Sequence, residues 1–528
     1  MKGKFPPPAP RELVLIVDPK AGIRVKNGEV VSIEPGGDAP ARELAERISA
    51  EQVIIRPLYG VSEDWLQHRT SDFKETMMGV GQRLDLSIFY KITSPDERLE
   101  RLESLVKNFR EIRVVQAAYI KPGAELTIMD NSIEHRDGLS PDPTTGDLTA
   151  AQVYLNAVSE GGIGVPCAWA TEGGRGEGVT IIDAEGAWRF SHEDLLENPD
   201  ILIGGTEMSD MGWRNHGTAV FGVIGGNRNG FGVSGICPEA TLKAVSLFGS
   251  SNGGSALNWS AAAAIVRAAD ELHRGDIILI EQHLPGPRAN FNTREDQVGY
   301  IPIEWWPCNF AAIQYATSQG IIVIEAAGNG QQHLDNCIYD DNPAPPNGPF
   351  PAWWHNPFRR NPIDSGAILV GAGIPPQLVY GGSSEQDRSR SQVSNYGSMV
   401  DAQGWGDDVV TCGYGGFASN DPDEDRWYTS RFNGTSSAAA MVTGAVGCLQ
   451  GVSRARGNIL SPARVRELLR DNLLNSPQTN GDFGVASVVR IGPRPNLCRL
   501  IDHTRPPTGL KDRIPSFLKA IIRKLRGI

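Results

Sequence analysis

The chain has 528 residues, a formal charge of −12, and 40% hydrophobic against 21% charged residues. That balance suits a folded protein with a large core. It argues against a disordered chain, and against a non-specific nucleic-acid binder, whose phosphate partners need a basic surface. No apolar run approaches the roughly 20 residues that cross a bilayer. The N-terminal MKGKFPPPAPRELVLIVDPK offers only the short run Leu13–Val17, where a secretory signal needs about 7–15 apolar residues. The expectation is a protein outside the general secretory route: cytoplasmic, exported by another path, or peripheral to a membrane. The seven cysteines are scattered and odd in number, fitting neither a disulfide scaffold nor a zinc site; pairing of Cys308 with Cys337 stays open.

Residues 1–122 read as a small α+β unit. Strands are predicted at Leu13–Val17, Val53–Leu58, Leu86–Ile92 and Ile112–Ile120, with a hairpin over Ile23–Ile33 turning at Asn27-Gly28. Ser94-Pro95-Asp96-Glu97 predicts a helix start, with Leu99, Leu102, Leu105, Val106 and Phe109 following at helical spacing. Helices alternating with strand pairs in this way predict a ferredoxin-like sandwich. Residues 123–151, rich in Pro, Gly, Asp and Thr, are predicted as a linker with a processing site.

From 152 to 496 short apolar strands alternate with helices. Val179–Ile182, Ile277–Ile280 and Ile321–Ile324 are of the buried parallel type, with helical stretches at Ala261–Leu272 and Phe310–Ser318 between them. In such α/β sheets ligands bind beyond the carboxyl ends of the strands. Four small-residue motifs therefore attract attention: Asp183 in GVTIIDAEG, His216 in NHGT, Asn329 in AAGNG and Ser436 in NGTSSAAA. Singly, each is an ordinary capping, packing or turn residue. Together they are a nucleophile, a base, an acid and an amide donor.

In that chain order, with SHEDL at 191–195, NGFGVSG at 229–235, DSGAILVGAG at 365–374 and SNYGSMVDAQG at 394–404, residues 152–455 resemble the subtilisin-like serine proteases, the subtilases. The resemblance implies a three-layer α/β domain with a mostly parallel sheet, and a serine endopeptidase working through an acyl-enzyme. Asp183, His216 and Ser436 would form the catalytic triad. Asn329 would stabilise the oxyanion with the Ser436 backbone N–H. Substrate would add as a strand along Ser250–Ser255 and Ile280–His283, with Ser251, Gly253, Glu281, Gln282, His283 and Gly328 in contact. Glu281-Gln282-His283 departs from the family's Ser-Leu-Gly type segment; its bulk would narrow the first specificity pocket, and Glu281 would either favour a basic residue there or pair within the wall. No cofactor is needed for the chemistry. A structural calcium ion would use Gln152, Asp194, Asn229, Phe231 and Val233.

The resemblance also implies that the first 122 residues are a propeptide, an inhibitor in the chain's own cleft released by self-processing; a retained regulatory domain is the alternative. Two inserts, Pro285–Pro307 and Gln331–Pro362, are expected to rim the cleft. The tail, 497–528, ends in a basic amphipathic segment over 508–528, read as an element docking on a membrane surface, a partner protein or the chain's own acidic body. A catalytically silent binding protein, and a ligase or cyclase using the same triad, are the rival functions.

Overall fold

The computed structural model describes residues 6–26, 28–72, 76–79, 81–127, 146–195, 201–249, 259–376, 386–416 and 422–505. The turn residue Asn27, the candidate contacts Ser251 and Gly253, most of the linker and the basic segment 508–528 lie outside the described residues.

The N-terminal unit contains β1 (Glu12–Val17), α1 (Asp38–Ala50), β2 (Ile54–Pro57), β3 (Phe89–Thr93), α2 (Leu99–Arg110) and β4 (Val115–Lys121). Its antiparallel sheet runs β2-β3-β1-β4, the ferredoxin-like order, with the hairpin Ile23–Lys26/Glu29–Ser32 beside it. The predicted helix start moves. Ser94 Oγ accepts the Asp96 N–H and Asp96 accepts from the Arg98 N–H and guanidinium, so 94–98 form a turn and the helix opens at Leu99. Likewise Asp85 accepts the Ser87 N–H, winding Leu86–Ile88 into a 3-10 turn before β3.

The larger unit is built on six parallel strands: β6 (Thr180–Glu185), β7 (Thr241–Ser246), β8 (Ile277–Ile280), β11 (Ile322–Ala326), β12 (Ile368–Gly373) and β13 (Val400–Trp405), ordered β7-β6-β8-β11-β12-β13. Alternate side chains of a strand face opposite ways, and the sheet uses both faces. Ile181, Ile277, Leu279, Ile322 and Ile324 join one core with α3 (Met211–Gly225) and α6 (Gly434–Ala455). Ile182, Ile278, Ile280 and Val323 join the other, with α4 (Ala261–Glu271) and α5 (Pro307–Ser318). That second core runs on into the N-terminal sheet, so the two units share it.

Between the units lies a small antiparallel sheet: β5 (Glu125–Leu126), β9 (Gln282–Pro285) and β10 (Tyr300–Pro302), with β9 in the middle. Cysteine usage is corrected. Cys167 and Cys498 form a disulfide joining the short helix Val165–Trp169 to the helix Leu497–His503, while Cys308 is buried and unbridged and Cys337 exposed and unbridged. The partners are far apart in sequence and meet only through tertiary packing, so spacing gave no signal. Among the described residues no helix is long and apolar enough to cross a membrane.

Candidate active site

Ser436 enters the site at the head of α6, whose N-cap position is Asn433. Small, fully buried residues, Ser437 to Ala440, let this helix sit against the sheet; a Cβ at Gly404 of β13 would lie 2.4 Å from the Ala438 carbonyl. Gly434 has φ +79°, and a Cβ there would stand 2.8 Å from both Asn329 Nδ2 and the Thr127 carbonyl oxygen. Glycine therefore keeps open the space beside the nucleophile. Asn329 Oδ1 is fixed by the backbone N–H and hydroxyl of Thr435, both at 3.0 Å, which leaves its Nδ2 without a partner among the described residues. Gly328, beside it, donates its N–H to Thr435 Oγ1.

His216 is carried by α3, capped by Asp210, which accepts the N–H groups of Gly212 and Trp213. Its acid partner corrects the expectation from the sequence. His216 Nδ1 lies 2.7 Å from Glu185 Oε1, whereas Asp183 Oδ2 accepts the Trp188 indole N–H at 2.8 Å. Both acids stand on β6 and, two residues apart, on the same face. Glu185 is nearer the carboxyl end of the strand and has the longer side chain, so it reaches the imidazole. The period-two spacing and the loop-ward position were the available signal. All three side chains are buried. Burial, then the charge of Glu185, pushes Asp183 well above the usual carboxylate range; burial also pushes Glu185 up, with a hydrogen bond from Asp183 opposing it. Burial holds His216 down at about 3, the Asp183 charge acting the other way.

The chain's own segment 125–127 occupies the cleft. Glu125–Leu126 pair antiparallel with β9, Leu126 opposite Gln282 and Glu125 opposite His283. Thr127 Oγ1 donates to the Glu281 carbonyl at 3.1 Å and is hydrogen-bonded to Ser436 Oγ. Of the sequence-derived contacts, Glu281, Gln282, His283 and Gly328 are thus brought together around the nucleophile. Gln282 is tied down through Nε2 to the Ala184 carbonyl, and His283 Nδ1 accepts the Asn329 N–H. Burial, then Asp183, pushes the Glu281 carboxyl well above its ordinary range, the Ser436 hydroxyl opposing. Sequence reasoning missed Tyr300 and Gln297 of the first insert; Tyr300 Oη donates to Glu125 and Gln297 Nε2 donates to the Leu126 carbonyl.

Of the five candidate calcium ligands, Asp194, Asn229, Phe231 and Val233 bond one another directly, while Gln152 bonds Ser234. Asp194 accepts from Asn229 Nδ2 and the Val233 N–H, Asn229 Oδ1 accepts the Phe231 N–H, and Gln152 Oε1 accepts the Ser234 N–H. Calcium needs six to eight oxygen donors. In this arrangement the side-chain oxygens of Gln152, Asp194 and Asn229 each accept an N–H group. Among the described residues no group of three or more His, Cys, Asp or Glu side chains is disposed to hold a metal.

A parallel α/β sheet with a serine at a helix head, a histidine bound to a carboxylate and a free amide donor defines the general class of serine hydrolases. The chain belongs to the subtilase family, whose model matches residues 126–488. A relative, the "Intracellular serine protease" of Paenibacillus polymyxa, is 24% identical over 336 residues, covering 61% of this chain and 82% of its own. The "Major intracellular serine protease" of Bacillus subtilis (strain 168) is 25% identical over 189 residues, 34% of this chain; the match spans about half, 51%, of that relative. Among solved structures, fervidolysin from Fervidobacterium pennivorans, a keratinolytic enzyme related to subtilisin, superposes with a TM-score of 0.51 at 16% identity, covering 96% of this chain and 62% of that one. At that identity the likeness speaks for the fold.

Proposed function

We propose that this protein is a serine endopeptidase made as a self-inhibited zymogen that cuts its own Thr127–Ile128 bond. One observation carries the reading: residues 125–127 lie as an added strand along β9, ending with Thr127 on Ser436 and its carbonyl oxygen beside Gly434 and Asn329. A polypeptide substrate adding to the same strand would run into the cleft in this way.

In the reaction, Ser436 Oγ bonds to the Thr127 carbonyl carbon and its proton passes to His216 Nε2. With Glu185 ionised, His216 Nδ1 carries the other proton and donates it to Glu185, which fixes the tautomer and leaves Nε2 as the base. The oxyanion is met by Asn329 Nδ2 and the Ser436 N–H. The C–N bond then breaks, the leaving amine takes the proton from His216, and water resolves the ester by the reverse steps. Glu185 is thus the acid of the triad. Asp183 acts behind it: Asp183 Oδ1 and Glu185 Oε2 lack any nitrogen or hydroxyl donor among the described residues, and a proton held by Asp183 and shared with Glu185 satisfies both.

The two inserts support the zymogen. The second, with Trp306 of the first, grips the N-terminal unit: Tyr119 packs on Phe350 and Trp306 at 5.0 and 5.9 Å, Asn347 Nδ2 donates to the Ile120 carbonyl, and Arg110 to the Gly348 carbonyl. Lys121 is buried with Glu12 at 2.5 Å and donates to Asn309 on α5. The test is the intact mass of the purified full chain. Wild type yields fragments ending at Thr127 and starting at Ile128, and Ser436→Ala remains whole. Equal masses, or a cut elsewhere in both, overturn self-processing.

A further inference from the structure

We infer that the first insert builds a subsite selecting a hydrogen-bonding side chain of glutamate length two residues before the attacked one, so that polypeptides of the form Glu-Leu-Thr or Gln-Leu-Thr are the preferred substrates. The inference rests on the reading of residues 125–127 as a bound substrate. In that frame Thr127 is the attacked residue, Leu126 the next upstream and Glu125 the third.

Each of the upstream residues meets the insert. Glu125 is 4% exposed, and its carboxyl accepts from Tyr300 Oη at 2.9 Å. Tyr300 is itself held from three sides: its hydroxyl accepts the Arg294 N–H at 2.7 Å, its carbonyl accepts Asn395 Nδ2 at 2.9 Å, and its ring stands edge-on to His283 at 4.7 Å. The hydroxyl therefore has one direction left in which to donate, and Glu125 lies there. Gln297 reaches the Leu126 carbonyl at 2.7 Å from a left-handed backbone conformation, φ +52°, that a side-chain residue adopts only when its surroundings impose it. A Cβ on Gly330 would come within 1.9 Å of the Tyr300 carbonyl oxygen, so the backbone of the active-site loop abuts the insert directly.

The chemistry of the pocket defines what it accepts. The groups facing Glu125 are the Tyr300 and Thr293 hydroxyls, with His283 opposite it on β9 held neutral by burial; the Arg294 guanidinium is engaged with Asp296. Among the described residues no cation answers the carboxyl, and burial pushes it up to about 7. The subsite thus receives a neutral carboxyl or an amide, rejects an ammonium, and leaves a hydroxyl unpaired when the side chain is short.

Two measurements test it. Self-processed Tyr119→Ala chain, freed of its cut N-terminal unit, is given acetyl-Ala-X-Leu-Thr coumarin amides with X as Glu, Gln, Ala or Lys. At about pH 6 the Gln peptide should exceed Ala by about tenfold in kcat/KM, and Tyr300→Phe should cut that ratio to about twofold. Gln and Ala peptides turned over equally by the chain with Tyr300 intact would overturn the subsite. Independently of turnover, amide exchange of residues 122–127 is followed in the full Ser436→Ala chain. Glu125→Ala should speed it about tenfold and Glu125→Gln leave it close to the parent; unchanged exchange in Glu125→Ala also overturns the subsite. Failure to cut at Thr127–Ile128 counts against self-processing alone, since the exchange result then decides the subsite.

Discussion

Glu185 Oε1 stands 2.7 Å from His216 Nδ1, while Asp183, two residues earlier on the same strand face, is bonded to the Trp188 indole instead. In the proposed mechanism a glutamate orients the base, and Asp183 acts behind it. Glu185→Gln should lower kcat by about 10³–10⁴, because the amide leaves the imidazole without its tautomer partner. Glu185→Asp should recover part of the loss. Asp183→Asn should cost no more than about tenfold, since an amide N–H can still donate to Glu185. Steady-state kinetics of the three variants on one peptide check the order. A loss in Asp183→Asn as deep as in Glu185→Gln would return the triad role to Asp183.

The two acids of β6 show where sequence reading stops. The parallel sheet and the ferredoxin-like order were legible, and His216, Asn329 and Ser436 stood out as candidates, because each rests on local pattern: apolar runs, helical spacing, small-residue motifs. Which of two carboxylates on one strand face meets the imidazole depends on strand end and side-chain reach across to α3. No periodicity encodes that. The Cys167–Cys498 bridge and the contact of Tyr300 with Glu125 are likewise tertiary. The Ser94 cap failed for a local reason, competition from the Asp96–Arg98 turn.

Asn329 holds its amide by two bonds to Thr435 and keeps Nδ2 free beside the Thr127 carbonyl. Asn329→Ala should reduce kcat by about 10²–10³ with KM little altered, because the missing donor serves the charge that develops only in the transition state. Processing at Thr127–Ile128, followed by intact mass over time, should slow in proportion. Full-speed processing in this variant would place the oxyanion elsewhere.

The aromatic clasp between Tyr119, Trp306 and Phe350 predicts that cutting the chain does not by itself free the enzyme. Removing a buried aromatic side chain costs about 3–5 kcal/mol, so Tyr119→Ala should speed dissociation of the cut N-terminal unit by two orders of magnitude or more. Size-exclusion chromatography checks this after processing. The wild-type fragments should co-elute, and the Tyr119→Ala fragments should separate and show peptidase activity sooner. Co-elution of both, with equal activity, would mean that the clasp does not retain the inhibitor.

The docked segment also carries opposing pH dependences. Burial raises Glu125 from its ordinary 4.5 to about 7 in the docked state. Docking is therefore strongest below about 4.5, and that contribution is lost as pH rises through 7. His216 and His283 are held near 3 by the same burial, below their ordinary 6.5. Their contribution is complete above 6.5 and is lost as pH falls towards 3. Between pH 5 and 7 the two effects pull in opposite directions, so wild type alone gives a muted profile. Glu125→Gln keeps the hydrogen bond to Tyr300 but removes the ionisation, and the histidine terms cancel in the comparison. The release rate of the N-terminal unit, wild type relative to Glu125→Gln, should climb by about tenfold or more between pH 5 and 8, levelling once Glu125 is fully ionised. A flat ratio across that range would mean that the Glu125 carboxyl ionises as easily in the cleft as in water, and that the subsite does not enclose it.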